Sequence, residues 1–149
     1  MHEVRAPEYA PRADVFLAGG IMNAPDWQAE AVELLAPHAG SFYNPRRSEP
    51  FTRAFQEAQI KWEYEALNAA DSILFWFPHE TLCPITLFEL GARSRVPDQP
   101  IFVGAHPDYA RNIDIHIQLG LARPDVRVCD SLEETVAQFL AWHLRRVDV

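Results

Sequence analysis

The segment from Asp71 to Gly91, Asp-Ser-Ile-Leu-Phe-Trp-Phe-Pro-His-Glu-Thr-Leu-Cys-Pro-Ile-Thr-Leu-Phe-Glu-Leu-Gly, constrains the fold more than any other stretch of this chain. Its unbroken apolar run, Ile73 to Phe77, stops at Pro78, the pattern of a strand buried on both faces of a sheet. A helix follows almost at once. Pro84 suits a first helical position, where its missing N–H costs nothing. Ile85, Phe88, Glu89, Ala92 and Val96 then fall at i, i+3, i+4, i+7 and i+11, one helix face expected to turn inward. Glu89 is a carboxylate where that pattern asks for a core residue, and such misfits mark places to look for function.

The rest of the chain supplies partners for this unit. Residues 1–13, polar and carrying two prolines, read as an irregular N-terminal arm, and 14–149 as one domain. Val15 to Ala18 predicts a first strand ending in Gly19-Gly20, and a helix follows with Pro25 as its first residue and Trp27, Ala31, Leu34 and Leu35 on one face. Ser41-Phe42-Tyr43 predicts a second strand, closed by Asn44-Pro45-Arg46-Arg47. Ser48-Glu49-Pro50 leads into a second helix over about 52–70. After the third strand (73–77) and third helix (84–96) come a fourth strand at 100–104 and a fifth at Val126–Cys129. Between those two, Ile113, Ile115, Ile117, Leu119 and Leu121 alternate as in a strand, yet a parallel sheet needs a crossover there, so 108–122 is read mainly as helix. Ser131 caps the last helix with Glu134 as capping-box partner. Strands alternating with helices indicate an α/β domain of three layers with a five-stranded parallel sheet, order 2-1-3-4-5. Ligands of such sheets bind beyond the carboxyl ends of the strands, at the switch point between strands one and three.

With 149 residues, 48% of them apolar, the chain has material for one ordinary core. No apolar run approaches a membrane span and the first residues lack a signal peptide's pattern, so a cytoplasmic protein is expected. The net charge of −8 argues against nucleic-acid polymers and anionic membranes as partners but admits a small phosphorylated ligand. Cys83 and Cys129 form no Cys-x-x-Cys motif and read as free thiols. Six histidines are scattered without metal-ligand spacing, so no metal and no cofactor are expected.

The second helix also carries a carboxylate on an inward face. Glu57, Lys61 and Glu65 form a solvated stripe, whereas Ile60, Glu63, Leu67 and Ala70 form another that is expected to point inward. Two inward carboxylates on adjacent elements are what glycosyl transfer requires: one attacks the anomeric carbon, the other handles a proton. The bland alternative for Glu89 is a structural pairing, for example with Arg93.

Gly19-Gly20 after the first strand, a helix-borne acid before the third, and Leu87-Phe88-Glu89-Leu90-Gly91 after it resemble the nucleoside 2-deoxyribosyltransferase family over about 14–140. The resemblance implies a doubly wound, Rossmann- or flavodoxin-like fold and homo-oligomers whose active sites are shared between subunits. The implied activity is cleavage or transfer of N-glycosidic bonds of 2-deoxyribonucleosides or their 5′-monophosphates. Glu89 falls on the family's nucleophilic glutamate, which forms a covalent deoxyribosyl-enzyme, and Glu63 where the family usually has an aspartate acting on the base. Asp114 and His116 fall where a neighbouring subunit reaches the sugar 5′ side. The chain departs from the family at Phe16, where a tyrosine is frequent, and at Leu82-Cys83-Pro84-Ile85-Thr86, which replaces an Asp-x-Gly-Thr/Ser loop and puts Cys83 where an aspartate is usual. A hydrolytic N-glycosidase and a nucleotide-binding sensor without turnover are the alternatives. A phosphoacceptor receiver domain is disfavoured because strand three ends in Phe77-Pro78 rather than an aspartate.

Other residues at the expected crevice have candidate roles. Arg46 and Arg47 could grip a 5′-phosphate, Trp27 and Phe77 could touch a base but also suit the core, and Glu80 is a reserve acid. Asp71, at the opposite edge, reads as structural.

Overall fold

A computed structural model describes residues 1–48 and 52–147; of the expected lead-in to the second helix, Glu49 and Pro50 lie outside the described residues. The described strands are β1 (His2–Arg5), β2 (Val15–Gly19), β3 (Ser41–Asn44), β4 (Ile73–Phe77), β5 (Ile101–Ala105) and β6 (Val128–Cys129). The helices are α1 (Trp27–Leu35), α2 (Arg53–Ala69), α3 (Pro84–Arg93), α4 (Asn112–Ala122) and α5 (Leu132–Val147). Every pairing is parallel and the order is β1-β3-β2-β4-β5-β6. The five expected strands, here β2 to β6, take the expected order.

The sheet has a sixth strand, which corrects the reading of residues 1–13 as irregular. His2 to Arg5 pair with Ser41 to Asn44 in register and form one edge of the sheet. His2, Glu3 and Arg5 are polar as edge residues commonly are, Val4 alone points into the core, and both prolines fall after the strand. A four-residue edge strand with one buried side chain has almost no periodic signal.

Alternation along the strands builds the two cores. Phe16, Ala18, Tyr43, Ile73, Phe75, Phe77 and Val103 pack with Trp62, Ala66 and Leu67 of α2, Leu90 of α3, and Ile115 and Leu119 of α4. Val15, Leu17, Phe42, Leu74, Trp76 and Phe102 pack on the other face with α1 and α5. Asp26, rather than Pro25, bounds α1: its side chain caps Ala29 N–H at 3.1 Å. Thr52 caps α2 through Phe55 N–H, and Ser131 Oγ accepts from Glu134 N–H at 3.2 Å at the start of α5. Asp71 takes two bonds from the Arg12 guanidinium, 2.8 and 2.6 Å, at the amino edge of the sheet.

Three helix faces differ from expectation. On α3 the buried residues are Thr86 and Leu90, while Ile85 and Phe88 are exposed, Phe88 to 75%. On α2 Ile60 is 59% exposed and Trp62 and Ala66 are buried instead. On α4 the strict alternation resolves into two stripes at helical spacing: Ile115 and Leu119 face the sheet, and Ile113, Ile117 and Leu121 face out. An amphipathic period locates an apolar stripe but not which neighbour covers it.

Candidate active site

Glu63 of α2 and Glu89 of α3 are brought together, both partly buried, on the sheet face that carries α2, α3 and α4. Glu89 is only partly buried, with exposed Ile85 and Phe88 on one side of α3 and buried Thr86 and Leu90 on the other, so it lies beside the buried face and not within it. Burial first, and then the negative charge of Glu63, push the Glu89 carboxyl up to about 8; the attraction of Arg93 opposes this more weakly. The Arg93 guanidinium is engaged elsewhere, by Asn68 Oδ1 at 3.0 Å and Gln99 Oε1 at 3.3 Å, so the structural pairing with Glu89 is not formed. Burial also raises Glu63, against the pull of a hydrogen bond from Gln59 and of the Arg47 charge. At neutral pH Glu89 therefore keeps its proton.

This makes a stability prediction. Unfolded, Glu89 releases its proton near 4.5, whereas in the folded protein it keeps it up to about 8. Across that window the unfolded state binds fewer protons, so the contribution of Glu89 is most favourable below 4.5 and declines as pH rises to about 8. Glu89→Gln is therefore expected to raise the melting temperature at pH 9 and to flatten its fall between pH 5 and pH 9. Thermal denaturation of both proteins across that range measures it, and equal slopes would count against the buried carboxyl.

Around the pair, the segment after β3 is pinned to α2. Arg47 Nε donates to Gln59 Oε1, and Gln59 Nε2 donates to Glu63 Oε1 at 2.7 Å and to the Pro45 carbonyl at 2.7 Å. Arg46 is tied instead to α1, to Gln28 Oε1, Asp26 Oδ1 and the Pro25 carbonyl, each at 3.0 Å. The loop before α3 packs on the Gly19-Gly20 turn. Gly20 N–H donates to Cys83 Sγ, and a Cβ on Gly20 would lie 2.7 Å from that sulfur. Cys83 itself holds a left-handed backbone (φ 48°), uncommon for a residue with a Cβ. Tyr109 Oη donates to the Leu82 carbonyl at 2.7 Å and fixes the same loop from the β5 side.

A family model described as nucleoside 2-deoxyribosyltransferase like matches residues 12–109, more than half of the chain. The chain belongs to the nucleoside 2-deoxyribosyltransferase-like family. The match takes in Glu63, Glu89, Cys83 and both glycines and ends before Asp114 and His116. No curated protein matches the chain. Family membership makes glycosyl transfer on nucleosides the general chemistry and a nucleoside or nucleotide the general substrate.

In this family member several expected site residues lie elsewhere. Phe16 is fully buried against Trp62, ring centroids 6.2 Å apart, and Phe77 is fully buried against Tyr109 at 5.2 Å. Neither has a free face for a base. Gly19 is explained by Trp27, whose ring would stand 2.3 Å from a Cβ there. Trp27 is itself buried in the α1–α5 core, with Nε1 donating to Gly20 O at 3.1 Å. Glu80 is half-exposed beside His79 and lines a cavity of about 350 Å³ with Trp27, Trp76 and His106, away from the acid pair. Asp114, paired with Arg111 at 3.6 Å, borders a groove of about 510 Å³ between α3 and α4, and His116 is exposed on α4. Within one chain neither reaches the acid pair's cluster. Neither Gln59 nor Tyr109 stands out in the sequence; the i, i+4 spacing of Gln59 and Glu63 is the available signal for the first.

Proposed function

We propose that the protein cleaves or transfers the N-glycosidic bond of 2-deoxyribonucleosides or their 5′-monophosphates through a covalent glycosyl-glutamate, with Glu89 as nucleophile and Glu63 as the assisting acid. The observation that carries this is two partly buried carboxyls on neighbouring helices, both pushed up by burial, with Glu89 still protonated at neutral pH. The step needs that inventory. With the proton moved to Glu63, an ionised Glu89 oxygen bonds to C1′ while the C1′–N bond breaks. Its electron pair stays on the base nitrogen, which takes the proton from Glu63. Attack on C1′ by an acceptor then releases Glu89 and returns a proton to Glu63. The low-dielectric site strengthens the attraction between the carboxylate and the developing oxocarbenium charge.

One observation favours water as the acceptor. Cys83, at the position of the family's loop aspartate, has its sulfur engaged by Gly20 N–H and the Thr81 carbonyl at 3.7 Å, which leaves no polar side chain there to hold a second base. Intact-mass spectrometry after incubation with a panel of 2-deoxynucleosides and their monophosphates tests the common step: a deoxyribosyl adduct mapping to Glu89 is expected. Free base with deoxyribose identifies the hydrolase, and base exchange the transferase. Nucleotide binding with neither adduct nor product would replace both with a sensor.

We further infer a homo-oligomer built on the outward apolar face of α3 and α4. Ile85, Phe88, Ile113, Ile117 and Leu121 are all exposed, Leu121 to 81%, and a monomer has no use for so large an apolar surface. Asp114 and His116 belong to the same helix, α4, so such an interface supports their service to a neighbour's site. Combined Phe88→Glu and Leu121→Glu is expected to convert the assembly to monomers with circular dichroism unchanged, as read by light scattering on a sizing column. A monomeric parent at micromolar concentration would overturn the inference.

A further inference from the structure

Gln59 is assigned no role by the reaction above, yet its amide has a forced orientation. Its oxygen accepts from Arg47 Nε, and its nitrogen donates to the Pro45 carbonyl and to Glu63 Oε1, each at 2.7 Å. A guanidinium only donates, and a carbonyl or carboxylate oxygen only accepts, so flipping the amide would break all three bonds. Both N–H groups are consumed, and the side chain is partly buried one turn before Glu63 on α2. Its orientation is set by the chain just after β3, not by α2 alone.

The consequence falls on the two oxygens of Glu63. Oε1 is held as an acceptor, so a proton that Glu63 carries sits on Oε2. The carboxyl plane is fixed by a partner that is itself fixed at Arg47 and Pro45. We propose that Gln59 is a positioning residue for N-glycosidic cleavage: it reserves Glu63 Oε1 as an acceptor and presents Oε2 as the oxygen that exchanges the proton with the leaving base. This rests on the reading of Glu63 and Glu89 given above. It also gives Arg47 a task other than gripping phosphate, since its Nε is spent on orienting the amide. The charged groups facing Glu63 are Glu89 from α3 and Arg47 from the segment after β3, with Arg93 acting on Glu89. Removing the Gln59 N–H takes away a bond that favours ionised Glu63 and leaves those charges in place.

Gln59→Met keeps the length and volume of the side chain and loses all three bonds; Gln59→Glu keeps an acceptor for Arg47 and loses the donor. Both are expected to lower kcat on the order of tenfold or more with KM within about twofold, as for a group that acts in the transition state. The basic limb of the kcat profile, set by loss of the proton Glu63 donates, should move up by about one pH unit in Gln59→Met, because the ionised form has lost a hydrogen bond, and further in Gln59→Glu, whose added negative charge also opposes ionisation. A purely structural staple would instead lower thermal stability and leave the limb where it was. Carbon-13 NMR titration of the Glu63 carboxyl in Gln59→Met against the parent reads the same assignment without turnover, and an upward shift is expected. An unmoved Glu63 titration overturns the role of Gln59 whatever the activity. If Glu89→Gln keeps parental turnover while the Glu63 titration moves as expected, the glycosyl-glutamate reading fails and the orientation by Gln59 stands.

Discussion

Glu89→Gln is expected to lower kcat/KM for base release by about three orders of magnitude or more and to abolish the sugar adduct, while leaving the fold intact. The substitution keeps the size of the side chain and its polar character but removes the carboxylate proposed to bond C1′. In the parent, kcat/KM should fall as pH rises through about 8, because burial keeps a proton on Glu89 up to that pH and the mechanism needs this proton, moved to Glu63, for the leaving base. The same burial makes Glu89 a cost to stability above its unfolded pKa. One substitution should therefore abolish activity and stabilise the protein at alkaline pH, the opposing signs expected where a site is held in an unfavourable environment for its chemistry. Turnover at the parental rate in Glu89→Gln would remove the covalent mechanism.

The largest stability effect is expected at Trp62. Its indole is 7% exposed, edge-on to Tyr43 with centroids 5.9 Å apart and tilted against Phe16, and its Nε1 donates to the Glu8 carbonyl at 2.6 Å. Trp62→Ala removes the ring contacts and the bond together and is expected to cost about 3–5 kcal/mol in urea denaturation, a large part of the ~5–15 kcal/mol that holds a domain folded. Trp62→Phe keeps most of the packing and leaves the Glu8 carbonyl without its donor, for about 1–2 kcal/mol. A cost for Trp62→Ala below about 1 kcal/mol would mean that the cavity collapses without penalty. Because Trp62 precedes Glu63 in the chain, activity losses in these variants should track the stability losses, unlike those at Gln59.

The central strand was readable because Ile73 to Phe77 is buried on both faces and stops at a proline, and the alternation of strands with helices made a parallel sheet readable. Glu63 and Glu89 were readable as acids at helical positions otherwise given to apolar residues. Their surroundings were not. The apolar period of α3 pointed Ile85 and Phe88 inward, but a period reports only that a stripe is covered, and that stripe faces away from the sheet. The apolar stripe that runs through Ile60 leaves out Trp62, two positions later on the same helix, although Trp62 is the residue that is buried. Arg46 and Arg47 sit side by side in sequence and turn to opposite partners, α1 and α2, a divergence decided by the approach of two helices to one loop. Cys83 could be placed by its spacing from Glu89, whereas its left-handed backbone depends on contacts with Gly20 and Thr81 that only folding brings together.

The first ten residues, which carry no chemistry, act as a strap across the helix that presents an acid. The Glu8 carbonyl holds the Trp62 indole and the Ala10 carbonyl holds the Tyr43 hydroxyl, while β1 lies along the outer side of β3. The bond from the Trp62 indole thereby ties α2, the helix that carries Glu63, to a residue more than fifty positions upstream. Fusions or deletions at this end are then changes to the geometry of the acid pair, although they touch neither carboxylate.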